Sequence, residues 1–148
     1  MQLKISATLI SLVLLLSSSV TYSNTLKDSA AIGSLSEKFI KMIESGNIAS
    51  AYDLLSRYVT ATDEEFENIK NKALSNTEMI QAELGKPLSS HLLKRENIGE
   101  HFEKHAFIIK YKKAAIVWQI SWYQPSSGWQ VMAVNFNANV DPYYIEMK

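Results

Sequence analysis

The hydrophobic period of the chain changes once, at Gly85-Lys-Pro87, and that change limits the fold more than any other feature. Before it, apolar residues recur three and four apart; after it, they alternate. A period near 3.6 lays apolar side chains along one stripe of a helix, and a period of two lays them on one face of a strand. Helices first and strands afterwards exclude an alternating βαβ architecture. They predict an α+β domain.

In the helical half, Ser34-Leu-Ser-Glu37 fits a capping box, in which the serine hydroxyl accepts from a free backbone amide and the glutamate reaches back. Leu35, Phe39, Met42 and Ile43 follow, and Gly46-Asn47 ends the element. Residues 24–33 ahead of it are expected to form a flexible segment. Asn47 is placed to cap a second helix with Ile48, Ala51, Tyr52, Leu55 and Val59 on its apolar face. Thr62-Asp-Glu-Glu65 is another capping box, with acids where the helix dipole favours negative charge. Phe66, Ile69, Ala73, Thr77, Ile80 and Leu84 continue one long helix, with Asn76-Thr77 its candidate bend, and Gly85 and Pro87 stop it.

In the strand half, Leu88 to Arg95 alternates weakly, whereas His105, Phe107, Ile109 and Tyr111 alternate clearly with Ala106, Ile108, Lys110 and Lys112. Ile116, Trp118, Ile120 and Trp122 form a strong apolar face opposite Val117, Gln119, Ser121 and Tyr123. Gln124-Pro-Ser-Ser-Gly128 reads as a turn. Trp129 to Asn137 returns with Gln130, Met132, Val134 and Phe136 on one side. Three N-terminal helices followed by three to four antiparallel strands are predicted over residues 34–139, with a C-terminal aromatic tail at 140–148.

Residues 1–23 have the three parts of a secretory signal peptide: Lys4 behind the free terminus, an apolar run from Ile5 to Leu16, and a small polar stretch ending at Ser23. The run is too short for a membrane span, so cleavage after Ser23 and a periplasmic or secreted bacterial location are expected. With no cysteine, the protein uses neither disulfides nor a lipid anchor on a cysteine. A length of 148 residues, 47% of them hydrophobic, supports one domain with its own core. Fifteen basic groups balance 15 acidic ones, which argues against a nucleic-acid binder, since that needs a basic face.

Three phrases together resemble small exported members of the nuclear-transport-factor-2-like superfamily, the cystatin-like α+β cone. They are Phe39-Ile-Lys-Met-Ile-Glu-Ser-Gly46-Asn-Ile-Ala-Ser-Ala51-Tyr52, the helix end Leu84-Gly85-Lys-Pro87, and the block from Ile108 to Trp118 followed by Trp122-Tyr-Gln-Pro-Ser-Ser-Gly128-Trp129 and Val134-Asn-Phe136. The resemblance spans residues 34–138 and implies a curved sheet wrapped around a long helix, with a conical pocket at one end. Members of the superfamily include isomerases and dehydratases as well as proteins that only bind or dimerise. No catalytic pattern of the superfamily is matched here, so chemistry does not carry over with the fold.

Candidate chemistry is sparse. His101 and His105 stand four apart with Glu100 and Glu103 beside them, a zinc-like composition, but on a strand the two rings lie about 13 Å apart at the backbone. His91 is the one further histidine, and no metal or other cofactor is expected. Asp53 beside Tyr52, with Tyr111, Tyr123 and the histidines from the sheet, forms the set an acid–base enzyme would draw on. Lys110, Lys112 and Lys113 bracket Tyr111 in a basic–aromatic strand end. Of the 14 aromatic residues after position 23, ten fall in residues 84–148, more than one sheet face needs.

The function expected is therefore a non-catalytic exported domain that binds a small apolar ligand or an envelope protein partner through this aromatic sheet. The surface residues expected to carry it are Tyr52, Tyr111, Trp118, Trp122, Trp129, Phe136, Tyr143 and Tyr144, with a homodimer formed through the surplus aromatic face. The alternatives are an isomerase or dehydratase working with tyrosine, aspartate or histidine, and an accessory protein of an envelope or secretion assembly docking by its aromatic tail.

Overall fold

A computed structural model describes residues 24–145. The signal peptide expected at 1–23 and the last three residues lie outside the described residues. The order is α1 (Ser29–Glu44), α2 (Ile48–Ser56), α3 (Asp63–Leu84), β1 (Pro87–Ile98), β2 (Phe102–Tyr111), β3 (Ala115–Tyr123) and β4 (Gln130–Asn137), then a short 3-10 turn, Asp141–Tyr143. The four strands form one antiparallel sheet in the order β1-β2-β3-β4, so each strand pairs with its neighbour in sequence. The fold is α+β, helices first and strands after.

α1 begins earlier than its Ser34-Leu-Ser-Glu37 signature indicates. Asp28 is the N-cap, its carboxylate accepting from the Ala31 amide at 2.8 Å. Ser34 lies inside the helix and donates to the Ala30 carbonyl at 3.1 Å, a bond that a serine makes mid-helix. The segment ahead of it is held as well: Leu26 and Trp129 exchange backbone bonds of 2.9 and 2.7 Å, and the Asn24 amide donates to the Arg57 carbonyl at 2.8 Å. Asn47 precedes α2 without a side-chain cap; its amide donates to Ser45 Oγ instead.

The Thr62 capping box forms in full, Thr62 Oγ1 accepting from the Glu65 amide and Glu65 from the Thr62 amide. α3 runs 22 residues through Asn76-Thr77, where Thr77 donates to the Ala73 carbonyl at 2.7 Å and the helix continues. It buries only Phe66, Ala73 and Thr77. Its C-terminal carbonyls are met by Lys113, whose ammonium reaches the Glu83 carbonyl at 2.8 Å and whose amide donates to that of Leu84 at 3.3 Å. One of the three lysines around Tyr111 thus serves a helix end, where a cation complements the dipole.

The core lies between α1, α2 and one face of the sheet. Phe39 packs edge-on against Tyr52 at 5.5 Å and against Trp118 at 6.1 Å, and Trp118 stacks on Phe136 at 4.6 Å. This line of rings joins α2, α1, β3 and β4. Each buried aromatic contributes roughly 2–3 kcal/mol of hydrophobic stabilisation.

β4 departs from simple alternation. Val131 pairs with Trp122 and Ala133 with Ser121, so Met132 is an extra residue, a β-bulge. Beyond it Val134 pairs with Ile120 and Phe136 with Trp118. The bulge brings Val131 to the helix side along with Val134 and Phe136, where strict alternation would have turned it out.

The opposite face of the sheet is crossed by the C-terminal segment. Tyr143 accepts from Gln119 Nε2 at 2.6 Å, and Ala106 and Val117, which point to that side, are buried. No helix among the described residues is long and apolar enough to cross a membrane.

Candidate functional site

The eight aromatic residues expected on a binding surface divide sharply. Trp118 and Trp122 are fully buried, and Tyr52, Tyr111 and Trp129 are at most 8% exposed. Phe136 is half-buried on Trp118, Tyr143 is half-buried on Gln119, and Tyr144 alone is open to solvent. The aromatic richness of the sheet is mostly core packing. All three tryptophans are enclosed, and the rings left at the surface are Phe102 and Tyr123, stacked at 4.8 Å, and Tyr144.

The histidines are kept apart. His91 is exposed on the far face of β1 near Ser89, His101 is exposed in the β1–β2 turn, and His105 is buried on the helix side of β2. Among the described residues no group of three His, Asp or Glu side chains gathers to hold a metal. Asp53 is on the exposed side of α2, paired with Lys70 at 2.9 Å. Lys70 also meets Glu67 at 2.6 Å, and those two partners raise its pKa, Glu67 the more.

Two places have the makings of a site. The first is polar and sealed. His105 stands between Ser36 Oγ, 3.0 Å from Nδ1, and Glu103 Oε1, 2.6 Å from Nε2. Ser29 Oγ lies 2.8 and 2.7 Å from the two Glu103 oxygens, and Trp122 Nε1 donates to Ser36 Oγ at 3.2 Å. Serine, imidazole and carboxylate in line have the composition of a nucleophilic triad. The surroundings forbid that use. Ser36 and His105 have no exposed surface, and a lone pair of Ser36 is taken by the indole N–H. The arrangement satisfies buried polar groups and ties α1 to β2 and β3. Its signal in the sequence is Glu103-x-His105, two polar residues in phase with apolar Phe107 and Ile109.

The second place is an apolar cleft of about 130 Å³ between the end of α2, the start of α3 and β4. Tyr52, Leu55, Val59, Phe66 and Val131 line it, with Met132 and Ile69 at its exposed rim. α2 supplies Tyr52 and Leu55 from one helix face, three apart, and the capped start of α3 fixes Phe66 one turn in. The β4 bulge supplies Val131 and Val134 together, which is why the cleft was not legible from alternation.

Tyr52 is the one titratable side chain in the lining. Burial pushes its phenol up to about 12, so it is neutral across the physiological range. Loss of water raises Tyr111 in the same direction. A wider polar groove, lined by Asn24, Arg57, Asp63 and Gln130 among others, shares the Val59–Ala61 loop with the cleft as a common wall.

Compared with family models, with curated proteins and with solved structures, the chain matches none of them.

Proposed function

We propose that the chain is an exported, non-catalytic binding domain of the nuclear-transport-factor-2-like kind, whose cleft beside Tyr52 takes a small apolar ligand or an apolar side chain of an envelope partner. One observation carries the reading. The cleft is walled mainly by aliphatic and aromatic side chains, and its one titratable group, the Tyr52 phenol, is neutral, the lining of a recognition pocket. At about 130 Å³ it is close to the scale of the roughly 150 Å³ apolar cavity that accepts benzene in other proteins. Export rests on the tripartite segment at 1–23 and the superfamily kinship on the quoted phrases.

An isomerase or dehydratase needs an acid and a base converging on one substrate atom. Asp53 is out on the helix surface and His105 is sealed, which leaves Tyr52 without a partner group in the cleft.

The test is a methyl-labelled NMR titration with benzene as the probe. Shifts confined to Leu55, Val59, Val131 and Val134, and abolished by Ala61→Leu at the cleft wall, are expected. Shifts that are absent, or spread over the whole core, would overturn the reading.

A further inference from the structure

α1, α2 and α3 end in different ways. α1 carries Lys41 in its last turn, and the Lys113 ammonium reaches the Glu83 carbonyl near the end of α3. A cation at either place complements the negative end of the helix dipole. α2 has no basic residue in its last turn. Its closing carbonyls are met by backbone nitrogens: that of Leu55 by Tyr58 at 2.9 Å, that of Tyr58 by Val131 at 2.8 Å, and that of Arg57 by Asn24, also at 2.8 Å.

Asn24 is the residue that follows the cleavage point expected after Ser23, where Thr21 and Ser23 supply the small side chains. We infer that cleavage there turns the Asn24 nitrogen into a terminal ammonium, and that this ammonium, seated on the Arg57 carbonyl, is the cation that completes the end of α2. The inference rests on the export reading and adds a consequence to it. A peptide nitrogen brings one hydrogen and no charge to the Arg57 carbonyl. An ammonium makes the same bond as a charged donor, roughly twice as strong as a neutral one. Processing therefore tightens the fold, and the chain that begins at Asn24 is more stable than one that keeps residues ahead of it.

The β3–β4 turn holds that nitrogen in place. Leu26, two residues on, exchanges backbone bonds with Trp129, and Thr25 lies so close to Gly128 that a Cβ there would overlap it. A cut one residue later removes the bond, and a cut further back carries the charge away from the helix end. The charged side chains lining the groove beside Asn24 are Arg57 and Asp63, one of each sign, and the turn adds Ser126, Ser127 and Gln130, which do not titrate. On the same segment Lys27 and Asp28 pair with each other at 3.6 Å. These charges offset one another, which leaves the helix end to set the sign of the effect.

The first experiment is an intact mass of the protein expressed from the full sequence and exported by a bacterial host, which is expected to begin at Asn24. That chain is then compared with the same chain preceded by Tyr22-Ser23, which keeps the net charge and moves the ammonium away. In urea at about pH 6 the extended chain is expected to unfold with an equilibrium constant about threefold larger. A helix end that favours the charged amine raises its pKa in the folded state. The difference is therefore fully present below the ordinary α-amino range of about 7.7–8.0 and is lost as pH rises through the raised value, so the two chains are expected to converge by about pH 10. The late ionisation of Tyr52 is common to both chains and drops out of the comparison. A product that retains residues 1–23 would strike the export reading and the inference with it. A processed product that begins elsewhere, equal unfolding constants at about pH 6, or a difference that persists at about pH 10 would overturn the inference alone.

Discussion

Glu103 and His105, two residues apart on β2, share a hydrogen bond of 2.6 Å in a place where neither is more than 5% exposed. Removing one partner of such a pair strands the other, at a cost of roughly 3–5 kcal/mol, while replacing both by apolar groups is often nearly neutral. Glu103→Leu alone and His105→Phe alone are each expected to lower the urea unfolding free energy by about that amount. The double substitution is expected to recover most of the loss. Additive losses would show that the two residues act independently.

Tyr52 gives the fold an alkaline limit. Its phenol is raised from 10.0 to about 12 by burial, so the folded state holds the proton more tightly than the unfolded chain. The stability that follows is fully present below pH 10 and is lost as pH rises through 12. Tyr52→Phe is expected to make thermal stability less sensitive to pH over that interval. Absorbance at the tyrosinate band is expected to show one phenol fewer ionising late. An unchanged alkaline limb would contradict the assignment.

The hydroxyl of Tyr111 is buried with no hydrogen-bond partner among the described residues. An unpaired buried polar group costs about 1–3 kcal/mol. Tyr111→Phe keeps the ring and removes the orphan, so it is expected to raise the unfolding free energy by about 1 kcal/mol. A loss of similar size in urea denaturation would mean that the hydroxyl has a stabilising partner.

Gly128 closes the β3–β4 turn at φ +82°, and a methyl group there would overlap the side chain of Thr25. Gly128→Ala is therefore opposed twice, by backbone strain and by the clash. It is expected to cost about 2 kcal/mol and to separate Leu26 from Trp129, read as faster amide exchange at both residues. Retained protection at Leu26 would show that the turn absorbs the methyl.

The division into helices and strands was legible because Gly85 and Pro87 interrupt one hydrophobic period and begin another. The start of α1 was misplaced because Ser34 and Glu37 carry the letters of a cap, while Asp28 does the capping from a stretch that reads as polar linker. Most of the rings expected at the surface lie inside for a related reason. Composition counts rings without showing that Phe39, Tyr52 and Trp118 meet one another inside. The cleft depends on one inserted residue, Met132, and a bulge has no mark within the unbroken apolar run from Val131 to Val134. Glu103 was visible only as a neighbour of His105; its acceptance from Ser29, 74 positions earlier, is a tertiary fact.

A sheet wound strictly in chain order has a consequence for how the molecule comes to be made. Each hairpin joins strands adjacent in sequence, so the whole meander can zip up through short loops with little entropy lost to closure. Docking of α1 is different in kind, since Ser36 must find Trp122 across 86 positions of chain. That contact closes a loop far longer than any hairpin turn of the sheet, so it costs more chain entropy than any of the strand pairings.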